Sequence, residues 1–438
     1  MRLSRNEFLT LLAFFGPAWQ RVTNLNSFAG QISLTMGTNV VIAAMGIGTG
    51  LLSARLLGPQ GRGELAAIQL WPLLLAGLAL LGMPEAVVFF SSRFRDQCGR
   101  YLISAQALIL ITATGFVGIG WWLMPRMLSA QSPEIVAAAR IFLLAMTFLY
   151  AIIGMPHQAI RAVGAWRAWN VLRALPNLGW LMVLLSMFVI PELINPVLLS
   201  RLYLGVHIAL VVPFILTARR YISRPYAVQT GLFKPLLGYG IPTMLHLLPQ
   251  SLNLRLDQLF MATYLEPSLL GLYVVAVTWS SATAPIFSAV GPVLFPRLSA
   301  ISDSAQQNLV LTRVTRLAIA AILGLTVVLL VITPVALPWL FGNAYRPAVP
   351  AALILVVANA FSSLNLILTD GLRGLGRPRS VLVAELVGLV VTGVLLLLLL
   401  RPFGILGAAV ASLVAYATVS GWLAVSVNRA IPLRAVVS

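Results

Sequence analysis

Residues 381–400 read VLVAELVGLVVTGVLLLLLL, and Glu385 is the one charged side chain in this stretch. A helix that crosses a bilayer needs about 20 mostly apolar residues, so the stretch predicts a membrane-spanning helix. Eleven further runs have the same character, and they are too long and too irregular for the alternating pattern of membrane β-strands. The twelve predicted spans, numbered 1 to 12 in chain order, cover 32–54, 65–90, 102–124, 135–156, 172–190, 200–217, 236–264, 269–295, 314–338, 348–369, 380–400 and 405–427.

The composition excludes a soluble protein. Of the 438 residues, 60% are hydrophobic and 9% are charged, and the mean hydropathy is +0.96. A soluble domain carries about 25% charged residues, and disordered chains do not contain so much apolar sequence. The single cysteine, Cys98, excludes an intrachain disulfide and makes a cysteine-based metal site implausible. We therefore expect an all-α integral membrane protein.

The net charge of +18 is explained by membrane topology. If the N-terminus is cytoplasmic, 21 of the 29 lysines and arginines fall in cytoplasmic segments, seven fall on the other side, and Arg255 lies inside span 7. This bias follows the positive-inside rule. It predicts a multi-pass membrane protein with both termini cytoplasmic, and it removes the need for a nucleic-acid partner. Residues 1–29 are expected to form a cytoplasmic amphipathic segment, and 429–438 a cytoplasmic tail.

Two pairs of motifs indicate an internal duplication. The pattern A-x-x-L-x-P-x-x-x-G occurs at 54–63 and again 208 residues later at 262–271, after spans 1 and 7. The pattern R-x-x-G-x-x-R occurs at 161–167 and again 212 residues later at 373–379, after spans 4 and 10. Six spans per repeat place both repeats in the same direction, as in transporters whose halves rock about a cavity. The expected domains are an N-terminal six-helix bundle at 30–225 and a C-terminal one at 226–428, as two parallel repeats around a central cavity.

Span 7 carries the richest set of polar residues at membrane depth, where ionisable groups are costly and are candidates for function. Four of them recur at i, i+4, i+7 and i+11, so they share one face of an ideal helix. This polar stripe consists of His246, Gln250, Asn253 and Asp257. It predicts a wall that faces water in a substrate cavity, although polar contacts between packed helices would give the same pattern.

Arg255 falls on the opposite side of the ideal helix from this stripe. Pro242 and Pro249 precede it in the same span, and a proline kink shifts the helical phase of the residues beyond it. Arg255 could then reach the cavity, with Asp257 neutralising it, or it could pair with another helix.

Other basic and polar residues mark the two membrane surfaces. On one side, Arg55 and Arg62 could receive a phosphate-bearing head group, because arginine binds phosphate through two parallel hydrogen bonds. Asn39 of span 1 is a further candidate substrate contact, and Glu85 and Glu385 are acidic groups inside spans 2 and 11. The candidate cytoplasmic entrance consists of Arg161, Arg167, Arg373, Arg377 and Arg379. Ordinary topological anchoring explains these five arginines equally well.

The 54–65 stretch, ARLLGPQGRGEL, resembles the signature that follows the first helix of polysaccharide lipid flippases. These belong to the multidrug/oligosaccharidyl-lipid/polysaccharide exporter superfamily. The resemblance continues through 253–258, 340–348, 372–377 and 403–409. It implies alternating-access transport of a polyprenyl-pyrophosphate-linked oligosaccharide across the bacterial inner (cytoplasmic) membrane for surface polysaccharide biosynthesis. The family's Arg-x-Asp pattern favours a cavity position for Arg255. Proton or sodium coupling through Asp257 or His246, and a polysaccharide polymerase as partner, are further implications.

An enzyme is not expected. The three histidines are scattered, the chain has no P-loop motif, and no cofactor is predicted. A membrane polysaccharide polymerase or ligase would need a long periplasmic loop with catalytic groups, and the loops predicted on that side are short.

A drug/cation antiporter of the same superfamily remains an alternative, which Arg255 disfavours because such substrates are cationic. A peptidoglycan-precursor flippase is disfavoured because it usually has fourteen spans, and this sequence predicts twelve.

Overall fold

The computed structural model describes residues 28–190, 194–288 and 303–430, together with 290, 291, 294, 298 and 301. Nearly all of the predicted N-terminal amphipathic segment and most of the predicted tail lie outside these residues. The described helices run over Phe28–Ala79, Met83–Arg93, Cys98–Met127, Pro133–Leu149, Met155–Ala162, Trp166–Ser186, Pro196–Tyr221, Phe233–Asn253, Leu256–Tyr264, Pro267–Ser280, Ala284–Ser288, Ser304–Phe341, Val349–Gly374 and Pro378–Ala430.

These helices account for the twelve predicted spans. Within the described residues, eight helical segments are long and apolar enough to cross a membrane. Two of them, Ser33–Ala79 and Pro378–Arg429, contain 47 and 52 residues, which is enough for two crossings each. They bend at Gly58 and Gly404, whose φ angles of 64° and 53° suit only a residue without a Cβ. Span 5 in Trp166–Ser186 and span 7 complete the set.

The internal repeat is visible in the backbone at the R-x-x-G-x-x-R motifs. Gly164 and Gly376 end the helices of spans 4 and 10 with φ angles of 84° and 72°. The N–H of each glycine donates to the arginine carbonyl three residues earlier, at 3.0 Å in both cases. The next N–H donates to the carbonyl five residues earlier, at 3.2 Å in the first repeat and 2.8 Å in the second. The two motifs therefore form the same glycine-capped helix end. We call this side of the bundle the arginine end.

At the opposite side, the other motif pair brings the two halves together. The backbone of Gly63 packs against the carbonyl of Pro267, and Gly271 packs in the same way against the carbonyl of Pro59. A Cβ on either glycine would overlap the facing oxygen, so the approach requires glycine at both positions. The contact is reciprocal, as expected where two equivalent elements meet. We call this side the glycine–proline end.

The halves also touch near the arginine end, through spans 2 and 7. Gly82 lies against the carbonyl of Gly240, and the ring of Phe89 stacks on Tyr239 with centroids 4.4 Å apart. Contacts at both ends leave the space between the halves in the middle of the bundle, where the candidate site lies.

Candidate substrate cavity

A cavity of about 580 Å³ lies between span 2 of the first half and span 7 of the second. Half of its lining residues are leucines, and its charged lining residues are Arg255 and Glu85. Tyr150 of span 4 adds a hydroxyl from the first half. The cavity thus combines an apolar wall with one guanidinium and one carboxylate.

Arg255 lies on the side of span 7 that lines this cavity. The predicted helix over 236–264 breaks after Asn253, where Arg255 has φ −135° and ψ −5°, and a second segment starts at Leu256. Arg255 nevertheless follows the cavity-lining residues Leu248 and Ser251 by seven and four residues, a spacing that places all three on one helical face. The change of phase predicted from the prolines is therefore not needed to bring Arg255 to the cavity, because the cavity lies on the side opposite the polar stripe.

The Arg255 side chain is exposed and lines the cavity together with Tyr150 of the first half. Among the described residues, the ion pair within 4 Å joins Arg373 to Asp370 at 3.8 Å. Neither Asp257 nor Glu85 therefore neutralises Arg255 in this conformation. An unpaired arginine between the two halves can bind an anion without first breaking an ion pair.

The polar stripe faces away from this cavity, which corrects the predicted water-facing wall. Asn253 is 5% exposed and lies against span 11. Its side-chain amide donates to Glu385 at 3.4 Å, and it accepts from the Thr392 hydroxyl at 2.7 Å. The alternative of polar contacts between packed helices accounts for this residue.

Asp257 is likewise an interior residue of the second half. It is 3% exposed, and its carboxylate accepts hydrogen bonds from the hydroxyls of Tyr273 at 2.5 Å and Ser412 at 3.1 Å. A third bond comes from the backbone N–H of Gln258 at 2.7 Å. The network joins spans 7, 8 and 12, so the prediction that Asp257 neutralises Arg255 is wrong.

His246 and Gln250 are half-buried on the same side of the first helix segment as Asn253. The residues of that segment that line the cavity, such as Met244 and Ser251, lie about a third of a turn away. The structure therefore does not bring His246 and Gln250 to the cavity with Arg255. A helical wheel of span 7 up to residue 257 correctly places the four polar residues of the stripe on one face. It does not show that the opposite face is the one toward the other half.

A second cavity, of about 720 Å³, opens between spans 1, 5 and 8. Asn39, which the sequence suggests as a substrate contact, lines it and accepts a hydrogen bond from the guanidinium of Arg173. Arg173 also lies over the ring of Trp169, 4.5 Å from its centroid. The sequence pattern alone indicates only a topological role for Arg173 at the start of span 5. Its position at the beginning of an otherwise apolar helix, one turn after Trp169 and Asn170, is the signal that could have identified it.

Arg55 joins the two halves at the glycine–proline end. Arg55 donates to the carbonyls of Leu340 at 2.5 Å and Trp339 at 2.8 Å, in the last turn of span 9. Carbonyls in a last turn lack intrahelical donors, and a cation there also interacts favourably with the helix dipole. Arg62 is half-buried, and its Nε has no hydrogen-bond partner among the described residues. In this conformation the guanidinium of Arg55 is therefore hydrogen-bonded to backbone carbonyl groups.

The five predicted entrance arginines do not form one cluster. Arg161 lies over the Trp169 ring at 5.5 Å, and Arg167 is exposed nearby. Arg373 pairs with Asp370. The remaining two, Arg377 and Arg379, line a separate cavity in the second half.

Sequence comparison decides the family. The sequence profile described as "Polysaccharide biosynthesis protein" matches residues 54–350, starting at the first residue of the repeated A-x-x-L-x-P-x-x-x-G motif. The chain belongs to this polysaccharide biosynthesis family. The resemblance identified from the motifs is thereby confirmed. No curated protein sequence matches the chain.

Solved structures with the same fold include a lipid II flippase and drug transporters. The flippase MurJ in an inward closed conformation superposes with a TM-score of 0.76 and 13% identity, over 90% of this chain and 87% of that one. An inward-facing multidrug resistance MATE transporter of the MOP superfamily gives 0.65 and 15%, over 93% and 96%. A MOP transporter from Pyrococcus furiosus gives 0.55 and 13%, over 91% and 95%. At these identities the likeness establishes the fold of two six-helix halves.

Proposed function

We propose that this member of the family is a flippase for a polyprenyl-pyrophosphate-linked oligosaccharide. It would move the lipid from the cytoplasmic to the periplasmic leaflet of the bacterial inner membrane for surface polysaccharide biosynthesis. The observation that carries the proposal is Arg255, exposed and unpaired in an apolar cavity between the two halves. The arginine end would face the cytoplasm, as the distribution of basic residues predicts.

The chemistry of the cavity suits this class of lipid. A pyrophosphate is a polyanion, and the planar guanidinium of Arg255 can donate two parallel hydrogen bonds to it. An arginine at the centre of a membrane helix costs about 2.5–3.5 kcal/mol on insertion scales, so its presence without a partner indicates a functional role. The leucine-rich wall formed by spans 2 and 7 offers a surface for the polyprenyl chain.

Alternating access would require the contacts at the two ends to open in turn. At the glycine–proline end, the reciprocal packing of Gly63 and Gly271 and the bonds of Arg55 would separate in the outward-open state. At the arginine end, the contacts of Gly82 with Gly240 would separate in the inward-open state. Both contacts lie between the halves, so each half can move as a rigid body when one of them opens.

The energy source proposed from the family resemblance is proton or sodium coupling. Asp257 and Glu385 are buried carboxylates that tie span 7 to spans 8, 11 and 12 through hydrogen bonds. Binding a proton or cation there would change contacts of the helix that carries Arg255. His246, the other proposed coupling group, lies half-buried on the same side of span 7. A polysaccharide polymerase would be the partner that receives the translocated lipid.

A drug/cation antiporter is the second candidate, and one observation favours it. Glu85 lines the same cavity as Arg255, and a carboxylate in an apolar cavity can bind an organic cation. The two functions make opposite demands, because an anionic substrate depends on Arg255 and a cationic one on Glu85.

The test is lipid translocation in proteoliposomes containing a fluorescent undecaprenyl-pyrophosphate disaccharide, read as the fraction accessible to an impermeant quencher. Arg255→Ala should abolish translocation while protein abundance stays unchanged. Arg255→Lys keeps the charge without the two-donor fork and should retain partial activity. Glu85→Gln, as the matched cavity variant, should remain active. Absence of lipid translocation by the wild-type protein, or full activity in Arg255→Ala, would contradict the proposal. Uptake of an organic cation that is lost in Glu85→Gln and kept in Arg255→Ala would favour the antiporter.

A further inference from the structure

A cavity of about 590 Å³ lies at the arginine end of the second half, away from the two cavities between the halves. Arg377, Arg379 and Arg429 line it. The first two flank Pro378, where the helix of span 11 begins, and Arg429 lies at the end of span 12. The kink at Gly404 folds these two spans back on each other, so the three guanidinium groups come together from the two ends of a 53-residue helix.

The lining of this cavity is basic, and the described residues contribute no acidic side chain to it. Within the described part of the chain, none of its three arginines has an ion pair, a side-chain hydrogen bond or an aromatic ring beneath it. Nearby Arg373, in contrast, pairs with Asp370. The positive end of the helix dipole at Pro378 adds to the same field. Three like charges held together without a counter-ion create a site for an anion.

The rest of the lining is apolar and continues along the membrane. Val383, Trp422 and Val425 are 40%, 44% and 50% exposed. From Val383 an exposed apolar stripe continues up span 11 at helical spacing, through Leu386, Val390, Val394 and Leu397. Exposed apolar side chains along a membrane span contact lipid chains, and tryptophan favours the level of the head groups. The cavity is therefore the polar end of a lipid-facing groove.

We propose that this cavity binds an anionic phospholipid, with its phosphate between Arg377, Arg379 and Arg429 and its acyl chains along spans 11 and 12. Basic pockets between membrane helices on the cytoplasmic side recognise such head groups. The helices packed against this pair of spans are spans 7, 8 and 10, all of the second half. The groove is thus distinct from the space between the halves. Arg377 and Arg379 accordingly bind bilayer lipid and are not part of the substrate entrance.

The experiment is native mass spectrometry of the full-length protein in detergent, titrated with dioleoyl phosphatidylglycerol, dioleoyl phosphatidylcholine or inorganic phosphate. The wild-type protein should bind phosphatidylglycerol at least tenfold more tightly than phosphatidylcholine. The triple variant Arg377→Gln, Arg379→Gln, Arg429→Gln should lose at least tenfold in phosphatidylglycerol affinity, because basic residues near an anionic head group act together. The triple variant with lysine at Arg377, Arg379 and Arg429 keeps the charge and should keep most of the binding. That result would show that the site tolerates substitution.

The matched control removes three exposed arginines at the same end that line none of the three cavities described above, Arg219→Gln, Arg313→Gln and Arg316→Gln. It should bind phosphatidylglycerol as the wild type does. Equal losses in both triple variants would overturn the proposal in favour of general surface charge. Displacement of the lipid by millimolar phosphate would overturn it in favour of a free-phosphate site, and displacement by undecaprenyl pyrophosphate in favour of a substrate entrance. Because the readout is lipid binding, it is independent of whether the protein translocates the proposed substrate.

Discussion

The two sides of span 7 differ in one respect that matters for function, the pairing of their charged groups. On the side toward the interior of the second half, Asn253 and Asp257 are at most 5% exposed and each makes at least two hydrogen bonds to neighbouring spans. On the side toward the first half, Arg255 is exposed and bonds to no acidic group among the described residues. These residues are neighbours in sequence and opposite in role.

The difference shows that polarity at membrane depth does not by itself mark a substrate site. A buried polar group whose hydrogen bonds are satisfied within one half holds helices together. A charged group that faces the space between two moving halves, with no partner, is free to bind a passing substrate. Both occur in one span because Arg255 lies on the opposite face of the helix from Asn253 and Asp257, in line with the cavity-lining residues Leu248 and Ser251.

The largest expected effect comes from exchanging the two charges. In the double variant Arg255→Asp with Asp257→Arg, a guanidinium replaces a carboxylate that accepts bonds from Tyr273 and Ser412. Burying an unpaired charge there is strongly destabilising, so the variant should fail to accumulate in the membrane. Immunoblotting of membranes measures the abundance. Recovery of both abundance and translocation by the exchange would mean that Arg255 and Asp257 are a simple ion pair.

A smaller effect is expected where the two halves meet at the glycine–proline end. Gly63→Ala would place a Cβ onto the carbonyl of Pro267, so the halves could not close as observed. Translocation should fall severalfold, with an overpacking cost of about 1–3 kcal/mol. Gly48→Ala, at a position of the same helix with nothing within 4 Å, is the control and should be neutral. Equal activity of the two variants would show that this contact is not part of the transport cycle.

The smallest effect concerns the interior side of span 7 alone. Asp257→Ala removes the carboxylate that accepts from the buried hydroxyls of Tyr273 and Ser412 and leaves these two only their 3.4 Å contact with each other. The loss should lower the free energy of unfolding by about 1–3 kcal/mol. Thermal unfolding of the detergent-solubilised protein measures this change. Asp96→Ala removes an exposed carboxylate and should leave stability unchanged. If the Asp257→Ala protein is as stable as the Asp96→Ala protein, this hydrogen-bond network has no structural role.

Much of the fold could be predicted from the sequence, because hydrophobic length and repeated motifs depend on local chemistry. The twelve spans follow from runs of apolar residues, and the pairing of Pro59 with Gly271 and of Pro267 with Gly63 gives the repeated motif a structural reason. The same holds for the glycines that cap spans 4 and 10.

The site could be predicted only in part, because the orientation of a side chain depends on helix continuity and on neighbours distant in sequence. The position of Arg255 opposite the polar stripe is predictable from span 7 itself, and in the structure that side lines the cavity. The surroundings of the stripe from His246 to Asp257 cannot be predicted in this way. Nothing local to span 7 shows that Glu385, Thr392 and Ser412 lie beside it. The role of Arg173 is equally hidden, because its contact with Asn39 joins residues 134 positions apart.

Thiol accessibility along span 7 tests the central claim most directly. Replacing the buried Cys98 by serine gives a background for single cysteines at Ser251 and Arg255 on the cavity side and at Gln250 and Asn253 on the other. A water-soluble thiosulfonate reagent should label the cavity-side pair at least tenfold faster, since burial restricts access to the other pair, and undecaprenyl pyrophosphate should protect Ser251→Cys. Labelling of Asn253→Cys as fast as Arg255→Cys, or no protection of Ser251→Cys by the lipid, would contradict the assignment of this side of span 7 to the substrate.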